Sequence, residues 1–112
     1  MSDVSQLYDA ADQLKEQGDL EGAVAKLQEA IVADENYALA HSALAVVLQR
    51  IGQHDEAVKH AARVCELEAA DPFSFTAMSV TYQRAYAGTN NTDYIRLAEE
   101  AMEQSRILSQ RG

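Results

Sequence analysis

The chain has 112 residues, enough for one domain that buries roughly two-thirds of its extended surface. Its 18 acidic residues against 9 basic ones leave a net charge of −9. Nine of those acids, but only Lys15 and Lys26 of the bases, fall in the first 40 residues, so nucleic acid and anionic membrane would be repelled and are excluded as partners. The single cysteine, Cys65, rules out an internal disulfide and any zinc site built on several thiolates; it reads as a small buried hydrophobe. No apolar run approaches the ~20 residues that span a bilayer. MSDVSQ lacks the basic and apolar regions of a signal peptide, and a cytoplasmic location is the expectation.

No segment alternates with period two, and glycine and proline are scarce, so an all-α chain is expected. The first helix is predicted over about Val4 to Gln17, capped by Ser2 or Asp3 and closed at Gly18, with Leu7, Ala10, Ala11 and Leu14 as its apolar stripe. A second helix starts near Leu20, turns Ala23, Val24, Leu27, Ala30 and Ile31 to one side, and stops at Asp34-Glu35-Asn36. The third, from about Ala38 to Arg50, buries His41, Leu44, Ala45 and Leu48. Asp55 caps the fourth, whose stripe is Ala57, Val58, Ala61, Val64 and Cys65. Asp71-Pro72 opens the fifth, since proline suits the first helical turn and not the interior; it carries Phe75, Met78, Ser79 and Tyr82 and runs to about Ala87, with Gly88 as its C-cap. Thr92 or Asn91 caps a last helix that reaches about Gln110.

Gly18 and Gly52 stand 34 positions apart, and so do Ala38 and Pro72. Around both glycines the chain repeats one design, EQGDLEGAVAKLQEAI against QRIGQHDEAVKHAARVC. Small Ala11, Ala45 and Ser79 recur where two helices must approach closely, Leu14, Leu48 and Tyr82 recur three residues later, and Ala23 matches Ala57. A 34-residue period containing a helix-turn-helix resembles the tetratricopeptide repeat family over nearly the whole chain. The resemblance implies a single domain, residues 1–112, forming a right-handed α-solenoid of three repeats (approximately 4–37, 38–71 and 72–110) and six helices. In the third repeat Tyr86 replaces the turn glycine, and AGTNNTD predicts a longer internal loop, an insertion of about seven residues at 87–93. In that register the last helix presents Glu99 and Arg106 outward, the polar face that ends a repeat array, which predicts a complete unit of three; a register three residues later weakens that reading.

By resemblance, the first helix of each repeat lines a concave groove that receives a peptide or helix of another protein. The positions carried over are Ser5, Tyr8, Asp12 and Lys15; Leu39, Ser42, Val46, Gln49 and Arg50; and Phe73, Thr76, Val80, Gln83 and Arg84. Leu39, Val46, Phe73 and Val80 supply the apolar contact, while the polar members fix orientation. Relatives that hold the acidic tails of chaperones use Lys, Asn and Arg at positions occupied here by Tyr8, Asp12, Ala43, Phe73 and Ala77, so that carboxylate clamp is disfavoured. Phe75 and Tyr82 read as core; Phe73 and Tyr86 stay open between packing and an aromatic groove edge.

His41, His54 and His60 read as packing or surface residues rather than a metal set, and no phosphate loop or nucleophile elbow is present. The expectation is therefore a non-catalytic adaptor without cofactor or metal. The competing reading is a self-associating structural protein, a homodimer through Leu97, Ala101 and Ile107 of the final helix.

Overall fold

The computed structural model describes residues 3–111, in which six helices follow one another: α1 (Val4–Glu16), α2 (Leu20–Ala33), α3 (Ala38–Arg50), α4 (His54–Leu67), α5 (Pro72–Thr89) and α6 (Asp93–Arg111). They pair into three hairpins, α1/α2, α3/α4 and α5/α6, and α2 packs on α3 as α4 packs on α5. The first helices touch across repeats, α1 with α3 and α3 with α5, whereas among the described residues α2 and α4, or α4 and α6, do not. That difference curves the stack and puts α1, α3 and α5 on its inner face.

Local chemistry sets the boundaries. Asp3 caps α1 through a bond from the Ser5 amide (2.8 Å), and Gln6 Oε1 accepts from the Asp3 amide, a reciprocal capping box; the alternative cap, Ser2, lies outside the described residues. The two turn glycines adopt φ of +87° and +86°, and each turn closes with the same bonds, Asp19 N–H to Leu14 O (2.8 Å) and Gln53 N–H to Leu48 O (2.9 Å). Asp71 accepts from the Phe73 amide and Pro72 fills the first helical position of α5, as expected.

The core is largely alanine. Ala11, Ala23, Ala30, Ala40, Ala45, Ala57 and Ala61 are buried with Leu7, Leu27, Leu44, Val47 and Leu48 in the first two repeats, and Tyr82, Ala98 and Ala101 form a smaller cluster in the third. Cys65, also buried, donates its thiol to Ser74 O (3.3 Å), and burial pushes its pKa up to about 11. In α5 the buried residues are Ser74, Ser79, Thr81, Tyr82 and Ala85; the expected Phe75 and Met78 are half-buried.

Three expectations require correction. Asp55 does not cap α4: Gln53 holds that position without a side-chain bond, and Asp55, in the first turn, accepts a hydrogen bond from Tyr94 Oη–H. Gly88 is not the C-cap of α5; Asn90 takes the left-handed conformation (φ 60°), which asparagine tolerates better than most residues. Nor is there a longer loop. The third turn, 90–92, is three residues long like 17–19 and 51–53, and the extra length lies in the helices: α5 has 18 residues against 13 in α1 and α3, α6 has 19 against 14 in α2 and α4. Five added residues on each arm make an insertion of ten, which selects the later register. Buried Ser105 then matches buried Leu27, whereas the earlier register would match Leu27 to Met102, which is 45 % exposed.

The lengthened hairpin clasps the start of α4. A Cβ on Gly88 would overlap the His54 ring, Tyr94 stacks on Tyr82 with centroids 5.8 Å apart, and its bond to Asp55 pushes the Tyr94 pKa up to about 12. Gly88→Ala is expected to fall short of the roughly 0.5–1 kcal/mol that alanine contributes over glycine in a helix interior, because the His54 ring must turn away, while Asn90→Gly is expected to be near neutral. Urea unfolding curves of the two variants beside wild type decide it; a Gly88→Ala midpoint raised by that full amount removes the clasp.

Candidate functional site

The inner face carries the exposed large apolar residues of α3 and α5: Leu39 (54 % exposed), Val46 (38 %), Phe73 (80 %) and Val80 (38 %). They face inward because α3 must turn Ala40, Leu44, Val47 and Leu48 to the core, which leaves positions 39, 42, 46 and 49 along the opposite stripe. Three hollows run beside them. One of about 190 Å³ lies between α1 and α3, bounded by Tyr8, Asp12, Lys15, Leu39 and Val46 above the buried Leu27. A second of about 230 Å³ lies between α3 and α5, with Val46, Val80 and Met78 on its walls and Gln49, Thr81 and Arg84 at its polar end. A third, of about 210 Å³, opens between Leu39 and Phe73, where Glu68 and Asp71 bring negative charge. Ser42 borders all three, so they form one continuous groove.

Of the residues expected to line it, Tyr8, Asp12, Leu39, Ser42, Val46, Gln49, Phe73, Val80 and Arg84 border these hollows. Two do not. Thr76 Oγ1 shares a hydrogen bond with Ser105 Oγ (2.7 Å) and lies 3.3 Å from Pro72 O, and the Gln83 amide donates to Ser79 Oγ (3.2 Å) on the opposite flank of α5, beside Glu99, Met102 and Arg106. Arg50 is exposed at the end of α3, outside the walls of the three hollows. Ala43 and Ala77, small enough to leave the groove open, and Met78 and Thr81 line it as well. Met78 and Thr81 were legible only to a reading that followed both flanks of α5.

Asp12 pairs with Lys15 at 3.4 Å, an exposed i,i+3 pair worth only a few tenths of a kcal/mol, roughly. Arg84 Nη1 donates to Gln49 Oε1 (3.3 Å), tying α5 to α3 across the groove's polar end. Phe73, Tyr8 and Tyr86 divide as follows: Phe73 stands at the groove edge, Tyr8 meets Tyr37 edge-on at 6.2 Å, and Tyr86 is half-buried in the lengthened hairpin. Of the α6 residues expected for self-association, Ala101 is buried in the third repeat and Leu97 packs against that cluster, while Ile107 is half-buried.

The histidines are less independent than their spacing implied. His41 Nδ1 and His60 Nδ1 lie 3.0 Å apart, and His41 Nε2 is 2.8 Å from Glu35 O. The carbonyl requires an N–H at His41 Nε2, so His41 Nδ1 accepts and His60 Nδ1 donates. Only one proton fits between the two rings. Among the described residues no group of three or more His, Cys, Asp or Glu is placed to hold a metal ion, and no helix is long and apolar enough to cross a membrane. Burial first, then the His41 and Lys59 charges, lower the His60 pKa against the opposing pull of Glu56. A histidine with a lowered folded pKa contributes full stability above its unfolded value of about 6.5 and loses it as the pH falls below that. Wild type is therefore expected to lose more stability than His60→Gln between about pH 7.5 and 5.5; equal losses in urea unfolding at the two pH values remove the pair as the cause.

Residues 11–52 match the family model of the TPR repeat. No curated protein is significantly similar in sequence. Among solved structures, the second TPR of Spaghetti (RPAP3), bound to the HSP90 peptide SRMEEVD, superposes with a TM-score of 0.75 at 20% identity, over 94% of this chain and 91% of that one. MamA superposes with a TM-score of 0.79 at 18% identity over 96% of this chain, and a second MamA structure with 0.70 at 19% over 92%. This chain spans only 59% and 56% of the two MamA chains. The TPR repeat pattern thus covers residues 11–52, and the three stacked helical hairpins share the fold of these solved structures.

Proposed function

We propose that this protein is a non-catalytic interaction module that holds a segment of another protein along the groove of α1, α3 and α5. The observation that carries this reading is the row Leu39, Val46, Phe73 and Val80, exposed on one face beside three connected hollows. Elsewhere the large exposed apolar residues, Val32, Ile95 and Met102, stand on helices of the outer layer. Contiguous apolar surface rimmed by polar groups is the usual mark of a docking site. Its hollows are side-chain sized, and Tyr8, Gln49 and Arg84 supply directional polar groups at their rims.

The solved relative that carries a bound peptide supports a protein segment as the occupant of such a face. Its acidic tail is not the occupant proposed here: the clamp-equivalent positions are Tyr8, Asp12, Ala43, Phe73 and Ala77, none of them cationic, and the Asp12 carboxylate would repel another.

Val46→Glu with Phe73→Glu places two charges in the row without disturbing a buried residue. Partner capture from native lysate is expected to fail for this double variant and to succeed for wild type, with unchanged far-ultraviolet circular dichroism. A partner retained equally by both would remove the groove as the binding face.

A further inference from the structure

Six of the nine bases sit within ion-pair distance of an acid: Lys15, Lys26, Lys59, Arg63, Arg96 and Arg106. Among the described residues, Arg50, Arg84 and Arg111 have no such partner, although acids outnumber bases two to one. Arg50 and Arg84 are 34 positions apart and so occupy the same place on neighbouring inner helices, whose axes lie about 8–10 Å apart at this kind of contact. Arg84 borders the hollow between α3 and α5 and reaches across it to Gln49, while Arg50 stands exposed at the end of α3, next in sequence to Gln49.

Helix electrostatics explains one of the two. Arg50 lies in the last turn of α3, where a cation favours the dipole. Arg84 does not: α5 continues five residues past it, and its last turn has no base. Arg84 thus stands in a helix interior at the rim of an apolar hollow, one repeat along from a second exposed arginine, and among the described residues no carboxylate pairs with it.

We propose that the Arg50–Arg84 edge binds a carboxylate of the partner segment, set next to an apolar side chain that enters the hollow walled by Val46, Met78 and Val80. This rests on the groove reading above and adds the chemistry of what the groove takes. Guanidinium forks match a carboxylate with two parallel hydrogen bonds, which a lysine cannot do, and both residues here are arginine. The site differs from the clamp of chaperone-tail binders, whose positions in this chain carry no cation.

The test is selection from a displayed library of random peptides of about 12 residues, on wild type, on Arg50→Gln/Arg84→Gln and on Val46→Glu/Phe73→Glu, followed by fluorescence anisotropy with the enriched peptides. Wild type is expected to enrich a large apolar residue at fixed spacing from Asp or Glu. Replacing that acid by its amide should weaken binding about tenfold at low salt, less at about 500 mM salt, and not at all for the double arginine variant. Peptides that bind wild type and are lost by Val46→Glu/Phe73→Glu, yet show no acidic preference or prefer basic residues, overturn the carboxylate site and leave the groove standing. Selection that yields nothing sensitive to Val46→Glu/Phe73→Glu overturns both.

Discussion

Everything in this fold depends on how closely its helices approach. Ten of the eighteen buried apolar residues are alanines, and they lie where helices cross: Ala11 and Ala23 in the first hairpin, Ala45, Ala57 and Ala61 in the second, Ala85, Ala98 and Ala101 in the third. Side chains this small hold nothing in place by their own area; burying a methyl group contributes under about 1 kcal/mol. They act by allowing Leu7, Leu27, Leu44 and Leu48 to reach across and meet. The apolar side chains at Leu39, Val46, Phe73 and Val80 lie on the stripes of α3 and α5 that the core does not use, and they stand on the inner face.

The third repeat solves the same problem with different chemistry. Ser79 replaces the alanine of the first two repeats, and its hydroxyl donates to Ala98 O at 2.9 Å, while Thr76 and Ser105 close a second polar contact. A buried hydroxyl left unpaired would cost roughly 1–3 kcal/mol, so these bonds are a condition of the substitution rather than an addition to it. The two lengthened helices then reach back over the start of α4, where Gly88 meets His54 and Tyr94 meets Asp55. Contacts that α4 lacks at its own uncapped N-terminus are thus supplied by the following repeat.

Most of this was legible in local sequence. The capping residues Asp3 and Asp71, the turn glycines and the 34-residue period each act through a few neighbouring positions, and they placed five of the six helix starts within a residue. What escaped depended on partners far along the chain. Gly88 and Asn90 both fit a helix end, and only the proximity of His54 assigns Gly88 to the interior. The insertion of about seven residues was read from Tyr86 and AGTNNTD, a turn sequence that cannot fix the register of the helix after it; burial of Ser105 does. The His41–His60 contact was missed by comparing His54 with His60 along one helix. A hairpin pivoting on Gly52 sets position 41 opposite about 60–63, and that geometry was available. Thr76 and Gln83 were placed in the groove by strict repetition, but Thr76 pairs with Ser105 of α6 and Gln83 with Ser79 instead.

The groove itself breaks the repeat symmetry that the core preserves. Core-cluster positions stay small or aliphatic in the first two units and admit Tyr82 in the third, whereas inner-face positions change along the array: Ser5, Leu39 and Phe73 at one level, Asp12, Val46 and Val80 at the next, Glu16, Arg50 and Arg84 at the last. The first repeat offers acids and a tyrosine, the third an aromatic ring, a valine and an arginine. Identical units would bind a segment equally well in either direction or shifted by one repeat. On the proposed reading graded units would not, because reversing the segment would exchange an apolar contact for a charged one and leave desolvated polar groups unpaired. Repetition builds the surface, and the departures from repetition give it a direction.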